Sequence, residues 1–163
     1  MATPIIFLEK KVMKEITINE KSKIGDLIKL ASPDTVGLTD NLEDQEVYIL
    51  DESDELSKDM KAFEAKDCKA FVVHRCKKIK VIINYNNHTF SHDFAPSIKV
   101  QHIRRDAIKG LGVDEIAGNN LELFEKTDDQ NTKMNRNYPI GYFTSYPTCS
   151  INLYLADPNA FAG

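Results

Sequence analysis

The chain opens on a short β-prone run, Ile5-Ile6-Phe7-Leu8, and then alternates polar and apolar residues at Glu15-Ile16-Thr17-Ile18. Lys10, Lys11 and Lys14 lie in the gap, as suits a hairpin. Ile24, Leu27, Ile28 and Ala31 follow at i, i+3, i+4, i+7, the spacing of one helix face, with Ser22 as the expected N-cap and Ser32-Pro33 as the stop. Glu46-Val-Tyr-Ile-Leu50 reads as a third strand, Asp51–Glu55 as an acidic turn, and Ala70-Phe-Val-Val73 as a closing strand.

The same order then recurs. Ile79, Val81, Ile82 and Ile83 predict a strand, Tyr85-Asn-Asn-His88 a turn, and Thr89–Phe94 a second strand. A helix is expected from Ser97 to about Gly110, through Ile98, Gln101, His102, Ile103 and Ile108. Leu121–Glu125 is a third strand, Lys126–Asp129 a turn and Ser150–Leu155 the last strand. Matched positions keep a nearly constant offset. Ile5 with Ile79, Ile16 with Phe90, and Val47 with Leu121 are 74 apart, Ile24 with Val100 76, and Phe71 with Ile151 80. A period of about 75 residues is too long for a solenoid repeat and suits a small domain that folds alone. The reading is an α+β chain of two tandem β-grasp domains, 1–75 and 76–156, with a tail over 157–163. Residues 74–78 form a short junction without Gly or Pro, so little relative freedom is expected.

Composition narrows the function. With 42% hydrophobic and 28% charged residues, the chain carries enough apolar material for packed cores. A net charge of −4 disfavours general nucleic-acid binding. No membrane span and no secretory signal are expected, so the expected location is cytoplasmic. Three cysteines, Cys68, Cys76 and Cys149, without CxxC spacing fit a reducing compartment and argue against a disulfide framework. Cys68 and Cys149 read as small apolar fillers and Cys76 as a junction residue.

The strand–strand–helix–strand–strand order resembles the ubiquitin fold. Asn120-Leu-Glu-Leu-Phe124, the acidic turn after it, and Phe71-Val-Val-His-Arg75 are similar to prokaryotic ubiquitin-like domains of the multi-ubiquitin type. Two such domains ending on glycine resemble the tandem modifiers of bacterial anti-phage conjugation systems, themselves similar to the interferon-induced tandem modifier of vertebrates. The resemblance implies conjugation of the Gly163 carboxylate to amines on target proteins. It implies an activating enzyme, a conjugating enzyme and a deconjugating protease as partners. Pro158, Asn159, Ala160, Phe161 and Ala162 would form the tail those enzymes read. Glycine leaves the reacting carbon unhindered, Pro158 favours an extended tail, and Phe161 offers an anchor. The tail has a single glycine and an acid, Asp157, where eukaryotic modifiers carry basic residues and Gly-Gly.

Other chemistry is weaker. His88 and His92 stand four apart across a turn and strand, with His102 later, and no further ligand completes a metal set. No nucleophile motif or phosphate-binding loop occurs, so neither enzymatic activity nor a cofactor is expected. The aromatic stretch Tyr138–Tyr146 reads as a connection folded over its own small core rather than as a recognition patch. Two other functions share the fold. One is a non-conjugated adaptor that binds through its sheet faces. The other is a sulfur carrier, which the doubled pattern disfavours.

Overall fold

The structure, a computed structural model, describes residues 4–31, 44–62, 70–127 and 130–161. The expected Ser32-Pro33 stop, Cys68, the Asp128-Asp129 turn, and Ala162 and Gly163 lie outside the described residues.

The first half holds β1 (Ile5–Phe7), β2 (Met13–Glu15), α1 (Ile24–Ala31), β3 (Glu46–Ile49) and β4 (Ala70–His74). Its sheet runs β2-β1-β4-β3, with β1 and β4 parallel and the outer pairs antiparallel. The second half holds β5 (Ile79–Tyr85), β6 (His88–Phe94), α2 (Val100–Gly110), α3 (Glu115–Gly118), β7 (Glu122–Thr127), β8 (Gln130–Lys133) and β9 (Ser150–Ala156), with 3-10 turns at Ile140–Phe143 and Pro158–Phe161. Its sheet runs β6-β5-β9-β7-β8, again with the central pair, β5 and β9, parallel. Mixed sheets crossed by few helices give a ubiquitin-like α+β fold.

Local chemistry explains the elements. On α1, Ile24, Leu27 and Ile28 are fully buried, as the spacing predicts. The cap differs from expectation. The Asp26 carboxylate accepts the Lys23 amide at 2.9 Å, half of a capping box, while the Ser22 hydroxyl accepts the Asn19 amide instead. Asn86 and Asn87, at φ 43° and 68°, form the two-residue turn between β5 and β6, a conformation asparagine tolerates. Three boundaries move. Strand β2 ends at Glu15, leaving buried Ile16 beyond it. Helix α2 starts at Val100, because Ile98 packs into the core ahead of the helix and Ser97 is buried. Strand β7 runs on to Thr127 and pairs with β8, a polar edge strand without an apolar signature that is held by its ladder.

Register corrects one pairing. Ile6 sits opposite Phe71, and Val81 opposite Ile151. Taking Phe71 and Ile151 as equivalent therefore matches Ile6, not Ile5, to the inward-facing series Ile79, Val81 and Ile83. A one-residue slip exchanges the two faces of a strand. Ile6 and Leu8 accordingly fill the core under α1, while half-buried Ile5 packs toward the second half.

The first sheet is covered on both sides. Ile6, Val47, Phe71 and Val73 face α1, while Phe7, Tyr48 and Val72 join the core of the second half. This double burial is why β1, β3 and β4 are continuous apolar runs. In β9, Ile151, Leu153 and Leu155 are buried while Asn152 is exposed, the alternation of a sheet with one open face.

Candidate functional site

Two regions hold functional geometry: the carboxyl end and the contact between the halves.

The tail leaves from β9 in the middle of the second sheet, beside the β5–β6 turn. A groove of about 530 Å³ lies there, lined by Tyr85, Asn86, His88, Tyr154 and Ala156. Beyond it the expected extended tail is not found. Pro158–Phe161 curls into a 3-10 turn, and the Asp157 carboxylate accepts the Asn159 amide at 2.9 Å. The fixed φ of proline suits the first position of such a turn as well as an extended chain, and the Asp157 side chain decides between them. Pro158 and Asn159 are exposed.

The contact between halves is more elaborate than a short junction implies. Glu9, just after β1, takes a two-pronged contact from Arg75, Nε to Oε2 at 2.9 Å and Nη2 to Oε1 at 3.0 Å. The Tyr146 amide from the second half donates to the same carboxylate at 2.8 Å, and the Arg75 guanidinium lies 5.0 Å over the Tyr146 ring. Burial alone would raise the Glu9 carboxyl. The Arg75 and Tyr146 hydrogen bonds outweigh it and hold the group below its ordinary range.

His74, fully buried, lies next to this cluster. Its Nδ1 accepts the Cys76 amide at 2.9 Å, so Nε2 carries the proton and donates to the Gly141 carbonyl at 3.0 Å. Burial pushes the imidazole below its usual value, so the ring is neutral. Gly141 has no room for a side chain. A Cβ there would come within 2.7 Å of the Pro96 carbonyl oxygen and 2.8 Å of the His74 ring. The first half also reaches across with Phe7, whose ring meets Tyr138 at 5.2 Å and Tyr142 at 6.0 Å. At the other end, the Asp51 amide donates to the Ser97 carbonyl at 2.7 Å, and the Asp51 carboxylate accepts the Lys99 amide at 3.0 Å.

These contacts correct two expectations. The Tyr138–Tyr146 stretch does more than cover its own core: together with Ser97 and Lys99 it grips the first half. Against the expectation of free thiols in a reducing compartment without a disulfide framework, Cys76 and Cys149 are neither filler nor free junction thiol but are joined as a disulfide, S–S 2.06 Å, tying the start of β5 to the start of β9. Spacing hid the pair because parallel neighbours in a sheet meet at large sequence separation. Glu9 escaped notice, and His74 and Arg75 were read only as closing strand and junction, since a junction lacking Gly and Pro signalled rigidity without naming its partners. Among the histidines singled out, His92 packs edge-on to Phe94 at 5.0 Å, and His102 stands 3.5 Å from Asp51 and 3.6 Å from Asp106. Among the described residues no group of three metal-ligating side chains converges, and no helix is long and apolar enough to cross a membrane.

The span from Lys80 in β5 to Asp157 just past β9 matches a family model, BilA ubiquitin-like domain 2. Residues 80–157 are thus similar to a ubiquitin-like domain. The match runs from the second residue of β5 through β9 and so spans the second sheet. The chain matches no curated protein. The tail groove and the aromatic stretch that receives the first half both lie within the matched residues.

Proposed function

We propose that the chain is a tandem ubiquitin-like protein modifier of a bacterial anti-phage conjugation pathway, with residues 1–75 as a first ubiquitin-like domain ahead of the BilA-type one. The observation that carries the reading is the BilA match over 80–157, joined to a first sheet of the same strand order, β2-β1-β4-β3 against β6-β5-β9-β7. In this role Gly163, once it presents a free carboxylate, is adenylated by an activating enzyme that uses ATP. It passes as a thioester to enzyme cysteines and ends in an isopeptide bond to a target amine. The chain itself acts as substrate rather than enzyme and works in the cytoplasm. Pro158–Phe161 would have to unwind from the 3-10 turn to enter an enzyme channel. The Asp157–Asn159 side-chain bond and the turn's own backbone bonds oppose that, at a place where Pro158 and Asn159 are exposed.

The curled tail also favours a second reading, an adaptor that binds through its sheet faces without conjugation. The two separate in one experiment: incubation with the cognate activating and conjugating enzymes and ATP, followed by gels with and without reductant. A modifier gives a thiol-sensitive adduct and a thiol-resistant one, and deleting Gly163 abolishes both. Adducts that persist without Gly163, or none at all with competent enzymes, overturn the modifier reading.

A further inference from the structure

A groove of about 880 Å³ opens between α2 and α3, lined by no residue of the tail. Its floor holds Arg104, 5% exposed, whose Nε and Nη2 donate to the Leu121 and Gly118 carbonyls at 2.6 and 2.8 Å. Both acceptors are neutral, and among the described residues no carboxylate pairs with it. A buried cation facing an open groove leaves a positive field there. Burial, and then the charge of Arg136, lower the basicity of the guanidinium. Arg105 and Lys109, one turn apart on α2, stand exposed on the rim. Arg136 is occupied by Glu122, and Glu115 is the one acidic lining residue. The groove is therefore cationic on a chain of net charge −4.

A further feature chooses among anions. Ile108 and Val113 give the lining an apolar strip, and α3, which lines the groove through Glu115 and Gly118, presents Ile116 at 78% exposure. A small phosphate has no apolar part to set against these side chains, whereas a peptide carries carboxylates and aliphatic groups on one strand.

The geometry points to a docking groove for an acidic segment of a partner protein in which carboxylates alternate with aliphatic side chains. Arg105 and Lys109 face the carboxylates over the field of Arg104. Ile108, Val113 and Ile116 take the aliphatic groups. The inference stands independently of conjugation and involves no tail residue.

Fluorescence anisotropy on the full chain tests it, with a labelled peptide of alternating glutamate and leucine, a lysine–leucine counterpart, and inorganic tripolyphosphate as competitor. The acidic peptide binds, weakening steeply with salt, and the basic one does not. Charge reversal at two exposed positions, Arg105→Glu with Lys109→Glu, weakens binding by about tenfold or more. Ile116→Ser, exposed and harmless to folding, weakens it several-fold. Absent binding, or binding unmoved by the charge reversal, overturns the proposal. So does tripolyphosphate binding that excludes the peptide while Ile116→Ser has no effect, which identifies a small-anion site. Because no conjugating enzyme is present, either failure leaves the modifier reading untouched.

Discussion

Glu9 and Arg75 meet fork to fork at 2.9 and 3.0 Å, and the Tyr146 amide completes the carboxylate from the opposite half at 2.8 Å. The pair closes the ends of β1 and β4 and supplies the acceptor on which the second half docks. Its side chains are 7% and 17% exposed, so solvent screens the interaction only in part.

Arg75→Ala is expected to cost about 1–3 kcal/mol, because it leaves a mostly buried carboxylate with only the Tyr146 and backbone amides. Glu9→Gln keeps the shape and costs less. Urea unfolding measures both. A loss under about 0.5 kcal/mol for Arg75→Ala would show that the fork is ornamental to stability.

Stability should depend on pH in two steps. Folded His74 is held neutral, so on acidification the unfolded chain takes up a proton near pH 6.5 that the folded one refuses. The stabilising effect is full above that pH and fades as pH falls, by at most about 1.4 kcal/mol per pH unit. Glu9, held below its ordinary 4.5, adds a second loss on further acidification. Denaturation midpoints from pH 8 to about pH 2 trace both steps, and His74→Gln should flatten only the first.

Gly141→Ala forces a methyl group against the Pro96 carbonyl and the His74 ring. Backbone cannot swing aside as a flexible side chain can, so a loss of about 1–3 kcal/mol is expected. Gly112→Ala is the control: it meets nothing within 4 Å, but its φ of 70° carries a conformational cost of about 1 kcal/mol. Thermal melts that rank Gly112→Ala above Gly141→Ala in damage would contradict the packing account.

The Cys76–Cys149 bond closes a loop with a sequence separation of 73 residues. Opening it frees the unfolded chain and should lower stability by about 2–4 kcal/mol. Melting with and without dithiothreitol measures the difference, and the Cys76→Ser, Cys149→Ser double variant should be indifferent to the reductant. Equal melting of the unsubstituted protein in both buffers would mean that the bond does not hold the fold.

In the sequence by itself, local periodicity made legible the strand–strand–helix–strand–strand order shared by both halves, but not α3 or the polar strand β8, which carry no apolar periodicity. Ile24, Leu27 and Ile28 share a helix face whatever surrounds them, and Asn86-Asn87 turns the chain with no outside help. It also carried a sign of the double-covered sheet, since Ala70-Phe-Val-Val73 lacks the alternation that Ile151-Asn-Leu-Tyr-Leu155 shows. Tertiary structure alone decided which partners those faces meet. Glu9 and Tyr146 lie 137 residues apart, Cys76 and Cys149 73, and His74 and Gly141 67. No local pattern encodes such pairs, because they depend on register and on how one sheet seats against the other. The tail shows the same limit at short range: Pro158 permits two backbones of similar φ, and one hydrogen bond from Asn159 to Asp157 selects the curled one.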